Sequence, residues 1–157
     1  MCSSDLDLLG LLDETVRVFQ QDRNQSGISV RLEPEAGCIA RVDPSQIRQV
    51  AWNLLRNAAE AMPEGGTLGV RLFRDAGGVG FEITDQGQGI SAEDMERVFD
   101  PFFTTKDSGT GLGLATVHRI VEDHQGRVQV DSAVGKGTRV RVWLPAAGEA
   151  RVSSARS

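Results

Sequence analysis

The segment KDSGTGLGLA at residues 106–115 alternates glycine with threonine and leucine before it continues into an apolar helical pattern. Backbone N–H groups approach a phosphate closely only where no Cβ intervenes, and a helix N-terminus adds unpaired donors with a partial positive charge. A dinucleotide fingerprint would need G-x-G-x-x-G directly after a strand, and a Walker loop would place its lysine after the glycines. Taken alone, the segment fits a phosphate site and a flexible loop equally well.

The size and charge of the chain narrow the class of protein. Its 157 residues, 39% hydrophobic and 25% charged, are typical of a single globular domain with its own core. With 17 basic and 22 acidic residues the net charge is −5, which argues against general nucleic-acid binding. Cys2 and Cys38 lack metal-ligand spacing and favour a reducing compartment, and neither a signal peptide nor a membrane span is recognisable.

Hydrophobic periodicity predicts helices interspersed with strands. Helices are expected over residues 5–24, from the Asp43 N-cap to Pro63, over 92–99 and over 112–126, the last closed by Gly126. Strands are expected at 28–33, 38–42, 67–73, 79–85, 127–132 and 138–145. This mixture favours an α+β two-layer sandwich over residues 1–145, and the small, polar tail at 146–157 is expected to be disordered.

The helix that begins after Asp43 carries the second chemical signal. Asp43 is a good N-cap, and Gln46 three residues later completes a capping-box pattern. Further along, NLLRNAAEA places Asn53, Asn57 and Glu60 on one helical face. Asparagine is a mediocre helix former, so the pair suggests ligation, although a solvated polar face is the alternative. Amide oxygens are hard ligands that suit Mg²⁺, which usually keeps waters and nucleotide phosphates as its other ligands.

Five motifs in order resemble those of a known family. The segments NLLRNAAEA, DQGQGI, FDPFFTTK, GTGLGL and GKGT resemble the N, G1, F, G2 and G3 boxes of bacterial sensor histidine kinases. The catalytic ATP-binding domain of those kinases belongs to the Bergerat (GHKL) superfamily, with gyrase, mismatch-repair ATPases and a heat-shock chaperone. The resemblance covers residues 5–145 and implies a Bergerat two-layer α/β sandwich, in which a mixed, mostly antiparallel sheet packs on three main helices. The short loop FFTTKDSGTGLGL is similar to that of the nitrogen-regulation subgroup.

The resemblance implies roles for the residues around the phosphates. Asn57 matches the residue that coordinates Mg²⁺ bridging the phosphates, and Asn53 sits where hydrolytic relatives place a general-base glutamate. Because an amide cannot take a proton from water at neutral pH, this substitution favours a kinase over an efficient ATPase. Arg56 and Lys106 are the nearest cations for the phosphates, with surface solvation as the alternative for each. Glu60 stands where relatives carry a cation, and it is expected either to orient a metal-bound water or to face solvent.

The same resemblance implies the nucleotide contacts. Asp85 matches the carboxylate that receives the adenine amino group, with strand-end strain as the alternative. Thr138 matches a hydroxyl that supports this contact, with a plain hairpin threonine as the alternative. The glycine-containing boxes complete the implied ATP-binding set with Gly87, Gly89, Ile90, Gly109, Thr110, Gly111, Leu112, Gly113 and Leu114. The aperiodic segment over 99–110 is expected to form a lid that orders on nucleotide binding, anchored by burial of Phe99, Phe102 and Phe103.

The family's dimerisation domain, with its phosphoacceptor histidine, is not recognisable in this sequence. His118 and His124 both fall in the helix after the glycine run, where a structural or surface role is usual, and His124 also suits the helix dipole. The resemblance therefore implies a cytoplasmic catalytic domain that phosphorylates a histidine on a separate domain. A response regulator is expected downstream, without nucleic-acid or membrane contact. A nucleotide-binding regulatory module without kinase activity and an ATP hydrolase are the alternatives.

Overall fold

The strands and helices of the domain lie within residues 4–21, 27–35, 37–62, 64–75, 77–87, 89–96 and 113–146, which are the residues described by the computed structural model. In chain order they are β1 (Ser4–Asp7), α1 (Leu8–Gln21), β2 (Ile28–Glu33), β3 (Ile39–Val42), α2 (Pro44–Glu60), β4 (Gly66–Asp75), β5 (Gly78–Asp85), α3 (Ala92–Met95), α4 (Gly113–Asp123), β6 (Arg127–Ser132) and β7 (Thr138–Pro145). None of the helices in these ranges is long and apolar enough to cross a membrane. The predicted lid and almost all of the predicted tail lie outside the described residues.

The main sheet has five strands in the order β2-β4-β5-β7-β6, in which β2 and β4 run parallel and the other neighbours antiparallel. A second, two-stranded sheet pairs β1 with β3, and a single bridge joins Ala40 of β3 to Ala146. β7 itself ends at Pro145, and Ala146 adds only this isolated bridge. With α1, α2 and α4 covering one face of the main sheet, the architecture is the predicted α+β two-layer sandwich.

Apolar side chains at every second position of the central strands give the main sheet an apolar face. In β5 the buried Val79, Phe81 and Ile83 pair directly with buried residues of β7, namely Leu144, Val142 and Val140. The helices cover this face with fully or almost fully buried side chains that include Leu12, Phe19, Leu54 and Ile120. Burial of each such side chain contributes about 1.5–3 kcal/mol. Because Asp85 continues the odd-numbered series of β5, its side chain lies on the same helix-covered side.

The opposite face of the sheet is polar and is organised around Glu82. This carboxylate, in a residue that is only 5% exposed, accepts hydrogen bonds from Nε of Arg71 at 3.3 Å and from Nη1 of Arg141 at 3.0 Å. The bond to Glu82 raises the pKa of Arg71. A groove of about 350 Å³ on this face is lined by Asp75, Arg127, Gln129, Arg141 and Trp143. Because side chains alternate between the two faces of a strand, these residues project from the face opposite to that of Asp85. The groove is therefore separate from the site described below.

The first helix begins later than its periodicity predicts. Residues 4–7 form β1, and α1 starts only at Leu8. The carboxylate of Asp7 accepts a hydrogen bond from the backbone N–H of Leu9 at 3.0 Å, as a capping side chain does. The helix predicted over 5–24 was therefore wrong at its start, because pairing with the distant strand β3 leaves no mark in a helical pattern.

The helix α2 begins where its sequence predicts, but one bond of the predicted capping box is replaced. Asp43 is the N-cap, and its carboxylate accepts hydrogen bonds from the backbone N–H and the hydroxyl of Ser45, at 3.0 and 3.2 Å. Desolvation acts to raise the pKa of Asp43, but the bonds from Ser45 and from the backbone of Gln46 lower it overall. The backbone N–H of Asp43 donates to Nε2 of His124 at 3.1 Å. In a complete capping box the side chain of Gln46 would accept this N–H, and here His124 is the acceptor.

The helix α4 is terminated by Gln125 rather than by the predicted Gly126. Gln125 has a φ of 63°, the left-handed conformation that usually favours glycine, and the next N–H donates back to the carbonyl of Val121 at 2.9 Å. Gly126 is needed for a different reason, since a Cβ there would lie 2.3 Å from the carbonyl oxygen of Trp143. The glycine thus allows the end of α4 to approach β7 closely.

Candidate functional site

Asp85 and Thr138 are opposed at the ends of two neighbouring strands. Asp85 ends β5, Thr138 begins β7, and the two residues are direct partners in the antiparallel ladder. Directly opposed residues project from the same face of a sheet, with Cβ atoms about 4.5–5.5 Å apart. Asp85 is only 7% exposed. The sheet therefore presents a largely buried carboxylate beside a hydroxyl at its helix-covered end.

The chain turns sharply after Asp85, where two glycines lie against other backbone segments. Oδ1 of Asp85 accepts a hydrogen bond from the backbone N–H of Gly87 at 2.8 Å. A Cβ on Gly87 would lie 2.3 Å from the carbonyl oxygen of Ala61, the C-cap of α2. A Cβ on Gly89, whose φ is 79°, would lie 2.0 Å from the carbonyl oxygen of Ala133 in the β6–β7 turn. Glycines therefore allow this loop to contact both the end of α2 and the β6–β7 hairpin.

The asparagine face of α2 is brought to the same end of the sheet. Ala61 follows Asn57 by one helical turn, and the sulfur of the next residue, Met62, accepts a hydrogen bond from the backbone N–H of Gln86 at 3.4 Å. The last turn of α2 thus contacts the loop after β5 directly. Asn53 and Asn57 are half-buried beside the buried stripe of the helix, so their amides border both the core and solvent.

Of the two cations predicted near the phosphates, Arg56 lies within the described residues and Lys106 lies outside them. Nη2 of Arg56 is 3.7 Å from Oε2 of Glu60, one turn later on the exposed side of α2. A surface ion pair of this kind contributes about 0–1 kcal/mol. Glu60 thus lies at the surface and partly neutralises Arg56, and its expected role toward a metal-bound water stays a prediction.

Ser132 is a residue of this region that the sequence analysis missed. Its Oγ lies 2.7 Å from the backbone N of Ile90, 2.9 Å from the carbonyl oxygen of Gly137 and 2.8 Å from Oγ1 of Thr138. Ile90 and Thr138 both belong to the predicted nucleotide-binding set, so Ser132 connects two of its members. The sequence did offer one indication. In β6 every second residue is half-buried, and Ser132 is the polar residue that follows two valines in this series.

The glycine run is described only from its last glycine onward. Gly113 is the first residue of α4, and Leu114 is half-buried and packs against the core. The predicted site and lid residues that lie outside the described part of the chain are Phe99, Phe102, Phe103, Lys106, Gly109, Thr110, Gly111 and Leu112. α4 packs against α2, so the two helices to which the resemblance assigns phosphate and metal contacts are neighbours.

The resemblance predicts a metal ion that Asn57 shares with the nucleotide phosphates. Within the described ranges, no group of three or more His, Cys, Asp or Glu side chains could hold a metal ion. Mg²⁺ commonly keeps several waters and substrate phosphates and takes few protein oxygens. The half-buried amide of Asn57 on the surface of α2 could supply one such protein oxygen.

The two histidines of α4 have different environments. Nδ1 of His124 lies 2.8 Å from the carbonyl oxygen of Ile120, while Nε2 accepts from the backbone N–H of Asp43. With the proton on Nδ1 both ring nitrogens have a partner, so His124 has a structural role, which is one of the two roles expected for a histidine in this helix. Nε2 of His118 lies 3.5 Å from Oε2 of Glu122 on the same helix.

Comparisons with known proteins agree with this geometry. The model of the histidine kinase-, DNA gyrase B- and HSP90-like ATPase family matches residues 42–148. The sensor histidine kinase ZraS of Escherichia coli (strain K12) is 40% identical over 145 residues, which are 89% of this chain and 30% of ZraS. Sporulation kinase A of Bacillus subtilis (strain 168) is 38% identical over 141 residues, 89% of this chain and 23% of the kinase. The chain thus spans less than a third of the length of these curated relatives.

Solved structures show the same relationship over whole domains. The catalytic domain of histidine kinase ThkA superposes with a TM-score of 0.84 at 30% identity, covering 95% of this chain and 99% of that domain. The mycobacterial sensor histidine kinase MprB superposes with a TM-score of 0.79 at 32% identity, covering 93% of this chain and 99% of that chain. The chain therefore belongs to the histidine kinase-, DNA gyrase B- and HSP90-like ATPase family, as a catalytic ATP-binding domain of the sensor histidine kinases.

Proposed function

We propose that this domain binds ATP together with Mg²⁺ and transfers the γ-phosphate to a histidine on a separate dimerisation domain. The observation that carries the proposal is the pairing of Asp85 with Thr138 at the strand ends, next to the asparagine face of α2. The loop after β5 contacts the C-cap of α2 through Gly87, so the proposed base site and the proposed metal site adjoin one another.

Asp85 is proposed to select the base. A carboxylate accepts a hydrogen bond from the exocyclic amino group of adenine, whereas guanine presents a carbonyl oxygen at the equivalent position. Two facing acceptors repel one another, and a buried acceptor without its donor is costly. The largely buried position of Asp85 makes this discrimination stronger than it would be at the surface.

The asparagines of α2 are proposed to serve the phosphates. The amide oxygen of Asn57 would hold Mg²⁺, whose other ligands would be phosphate oxygens and water. The neighbouring Asn53 is also an amide and cannot remove a proton from water at neutral pH, so hydrolysis lacks a general base at this position. Lys106 and Arg56 are the cations proposed to contact the phosphates. The backbone N–H groups of the glycine run over 109–114 are proposed to donate hydrogen bonds to the phosphate oxygens.

The acceptor histidine is proposed to come from another domain. In-line transfer needs the acceptor nitrogen beyond the γ-phosphate, on the open side of the pocket. His124 directly follows α4, whose 11 residues place it about 16 Å along the helix from the glycine run, and its ring is held by two hydrogen bonds. His118 lies on the same helix, whose N-terminus faces the proposed phosphates, so neither ring is placed to attack.

The wider setting follows from the proposed reaction. A histidine-bearing dimerisation domain would receive the phosphate, and a response regulator would take it from there, as the family membership of the chain suggests for sensor kinases in general. The need for ATP places the reaction in the cytoplasm. The similarity of the glycine-rich loop to the nitrogen-regulation subgroup stays a prediction.

Transfer between separate proteins tests this function. The chain is mixed with the histidine-bearing dimerisation domain of the same kinase, labelled ATP and Mg²⁺. Acid-labile, base-stable label is expected on the dimerisation domain and little on the chain itself. Asn57→Ala should abolish transfer, while Gln49→Ala, an exposed change on the same helix, should leave it intact. ATP binding without any transfer would favour the regulatory-module alternative, and acid-labile label on the chain that disappears with His118→Ala would contradict the account of the acceptor.

A further inference from the structure

The hydroxyl of Ser132 is the centre of a small hydrogen-bond network beside Asp85. It lies within 2.9 Å of three polar atoms: the backbone N of Ile90, the carbonyl oxygen of Gly137 and Oγ1 of Thr138. These atoms belong to the loop after β5, the β6–β7 turn and the first residue of β7. Ser132 thus joins three backbone segments that border the proposed base site.

The direction of each hydrogen bond follows from the capacity of the groups. A serine hydroxyl has one proton to donate and two lone pairs that accept. The N–H of Ile90 can only donate, and the carbonyl of Gly137 can only accept. All three contacts are satisfied together only if Ser132 accepts from Ile90, donates to Gly137 and accepts the proton of the Thr138 hydroxyl.

This arrangement fixes the chemical character of Thr138. Since its proton is directed to Ser132, the threonine oxygen can offer only lone pairs to a ligand. Thr138 is the direct ladder partner of Asp85 and projects from the same face of the sheet. The ends of β5 and β7 therefore present two neighbouring acceptors, a carboxylate and a hydroxyl oxygen.

We propose that Ser132 is a positioning residue for base recognition, which orients Thr138 as an acceptor so that the pocket selects an exocyclic amino group. The inference rests on the proposed function and adds to it a residue that orients the Thr138 hydroxyl, which the resemblance already places beside the adenine contact of Asp85. An amino group has two hydrogens and can donate to both acceptors, whereas a purine without it can satisfy neither.

The backbone packing supports a role in orientation rather than in general stability. A Cβ on Gly137 would lie 2.1 Å from the carbonyl oxygen of Asp85, and Gly137 has a φ of 81°. The turn that precedes Thr138 therefore packs against the end of β5 through backbone contacts that do not involve Ser132. Loss of the Ser132 hydroxyl should then change the direction of the Thr138 proton more than the position of the turn.

Two nucleotides separate orientation from folding. ATP and purine riboside triphosphate, which has hydrogen in place of the amino group, are each used to displace a fluorescent adenine nucleotide in Mg²⁺. The unsubstituted protein should prefer ATP. Ser132→Ala should reduce that preference roughly tenfold, the effect of one hydrogen bond, by weakening ATP and leaving the analogue unchanged. Ser132→Thr keeps the hydroxyl and should restore the preference, and Ser29→Ala, on an exposed strand position, should not alter it.

Further variants keep the inference testable if Ser132→Ala does not fold. Thr138→Val removes the second acceptor at nearly constant shape and should lower the ATP preference by the same factor. Where both variants fold, their combination should lose no more than either alone, because both act on one contact. An unchanged preference in Ser132→Ala or in Thr138→Val, or an equal loss of affinity for both nucleotides, would overturn this inference alone. Failure of the unsubstituted protein to bind ATP would overturn the proposed function as well.

Discussion

Nε2 of His124 accepts a hydrogen bond from the backbone N–H of Asp43 at 3.1 Å, and this contact joins the end of α4 to the start of α2. The two helices carry the residues proposed to serve the phosphates, with Asn57 on α2 and the glycine run leading into α4. Because the other ring nitrogen of His124 donates to Ile120, the imidazole is held in one tautomer. His124 is thus a structural link between the two helices.

Removal of this link should destabilise the fold. His124→Ala leaves the N–H of Asp43 without its acceptor at a partly buried helix start, which should cost about 1–2 kcal/mol of unfolding free energy. Urea denaturation followed by circular dichroism measures the change. Arg119→Ala, an exposed change on the same helix, should cost less than about 0.5 kcal/mol. Equal losses for the two variants would contradict the structural role of His124.

The N-cap of α2 should make stability depend on acidity. The pKa of Asp43 is lowered in the folded protein, so its contribution is complete above the ordinary value of 3.8 and is lost as the pH falls through the lower folded value. Asp43→Asn keeps a good N-cap that does not titrate. The difference in unfolding midpoint between the two proteins should therefore shrink as the pH falls from 5 to below 3.8. A difference that stays constant over this range would contradict the lowered pKa.

The end of α4 offers two glycine substitutions with opposite outcomes. Gln125→Gly places the permissive residue at the left-handed position and should stabilise the protein by about 0.5–1 kcal/mol. Gly126→Ala puts a Cβ within 2.3 Å of the carbonyl oxygen of Trp143 and should destabilise it by about 1–3 kcal/mol. Thermal unfolding of both variants measures these shifts. The same sign for both would show that the roles of these two residues are misassigned.

Local signals were enough to predict most of the fold, because burial periodicity and turn residues act within a few residues of each other. The alternation of β5 and the Asp43 N-cap are examples. Tertiary contacts explain the misses. The strand β1 depends on pairing with β3, and the N–H of Asp43 is satisfied by His124, 81 residues away. Neither partner can be read from a local pattern.

In the candidate site, too, local motifs pointed to some residues, whereas others are apparent only from tertiary contacts. Asp85 and Asn57 were named because they stand in ordered motifs that resemble those of the family, and their roles stay predictions. Ser132 could not be named in this way, since a serine at the end of a strand is common and only its three contacts reveal a role. Lys106 remains a prediction, because it lies outside the described residues.

The proposed metal ligand makes a prediction about magnesium. Asn57→Ala should weaken ATP binding by about 1–3 kcal/mol in Mg²⁺, the range for a polar partner left unsatisfied in a partly buried site. In EDTA the difference from the unsubstituted protein should largely vanish, since the amide then has no metal to hold. Calorimetric titration under both conditions, with Gln49→Ala as the control on the same helix, measures this. An identical loss with and without Mg²⁺ would assign Asn57 to another role.

The measurement that tests the central claim most directly is calorimetric titration of the chain and of Asp85→Asn with ATP and GTP in Mg²⁺. The unsubstituted protein should bind ATP far more tightly than GTP, because the largely buried carboxylate accepts from the adenine amino group and repels the guanine carbonyl. Asp85→Asn should lose most ATP binding, whereas Asp131→Asn, an exposed acid paired with Arg139 on the other face, should bind ATP normally. Comparable binding of GTP to the unsubstituted protein, or undiminished ATP binding by Asp85→Asn, would contradict the account.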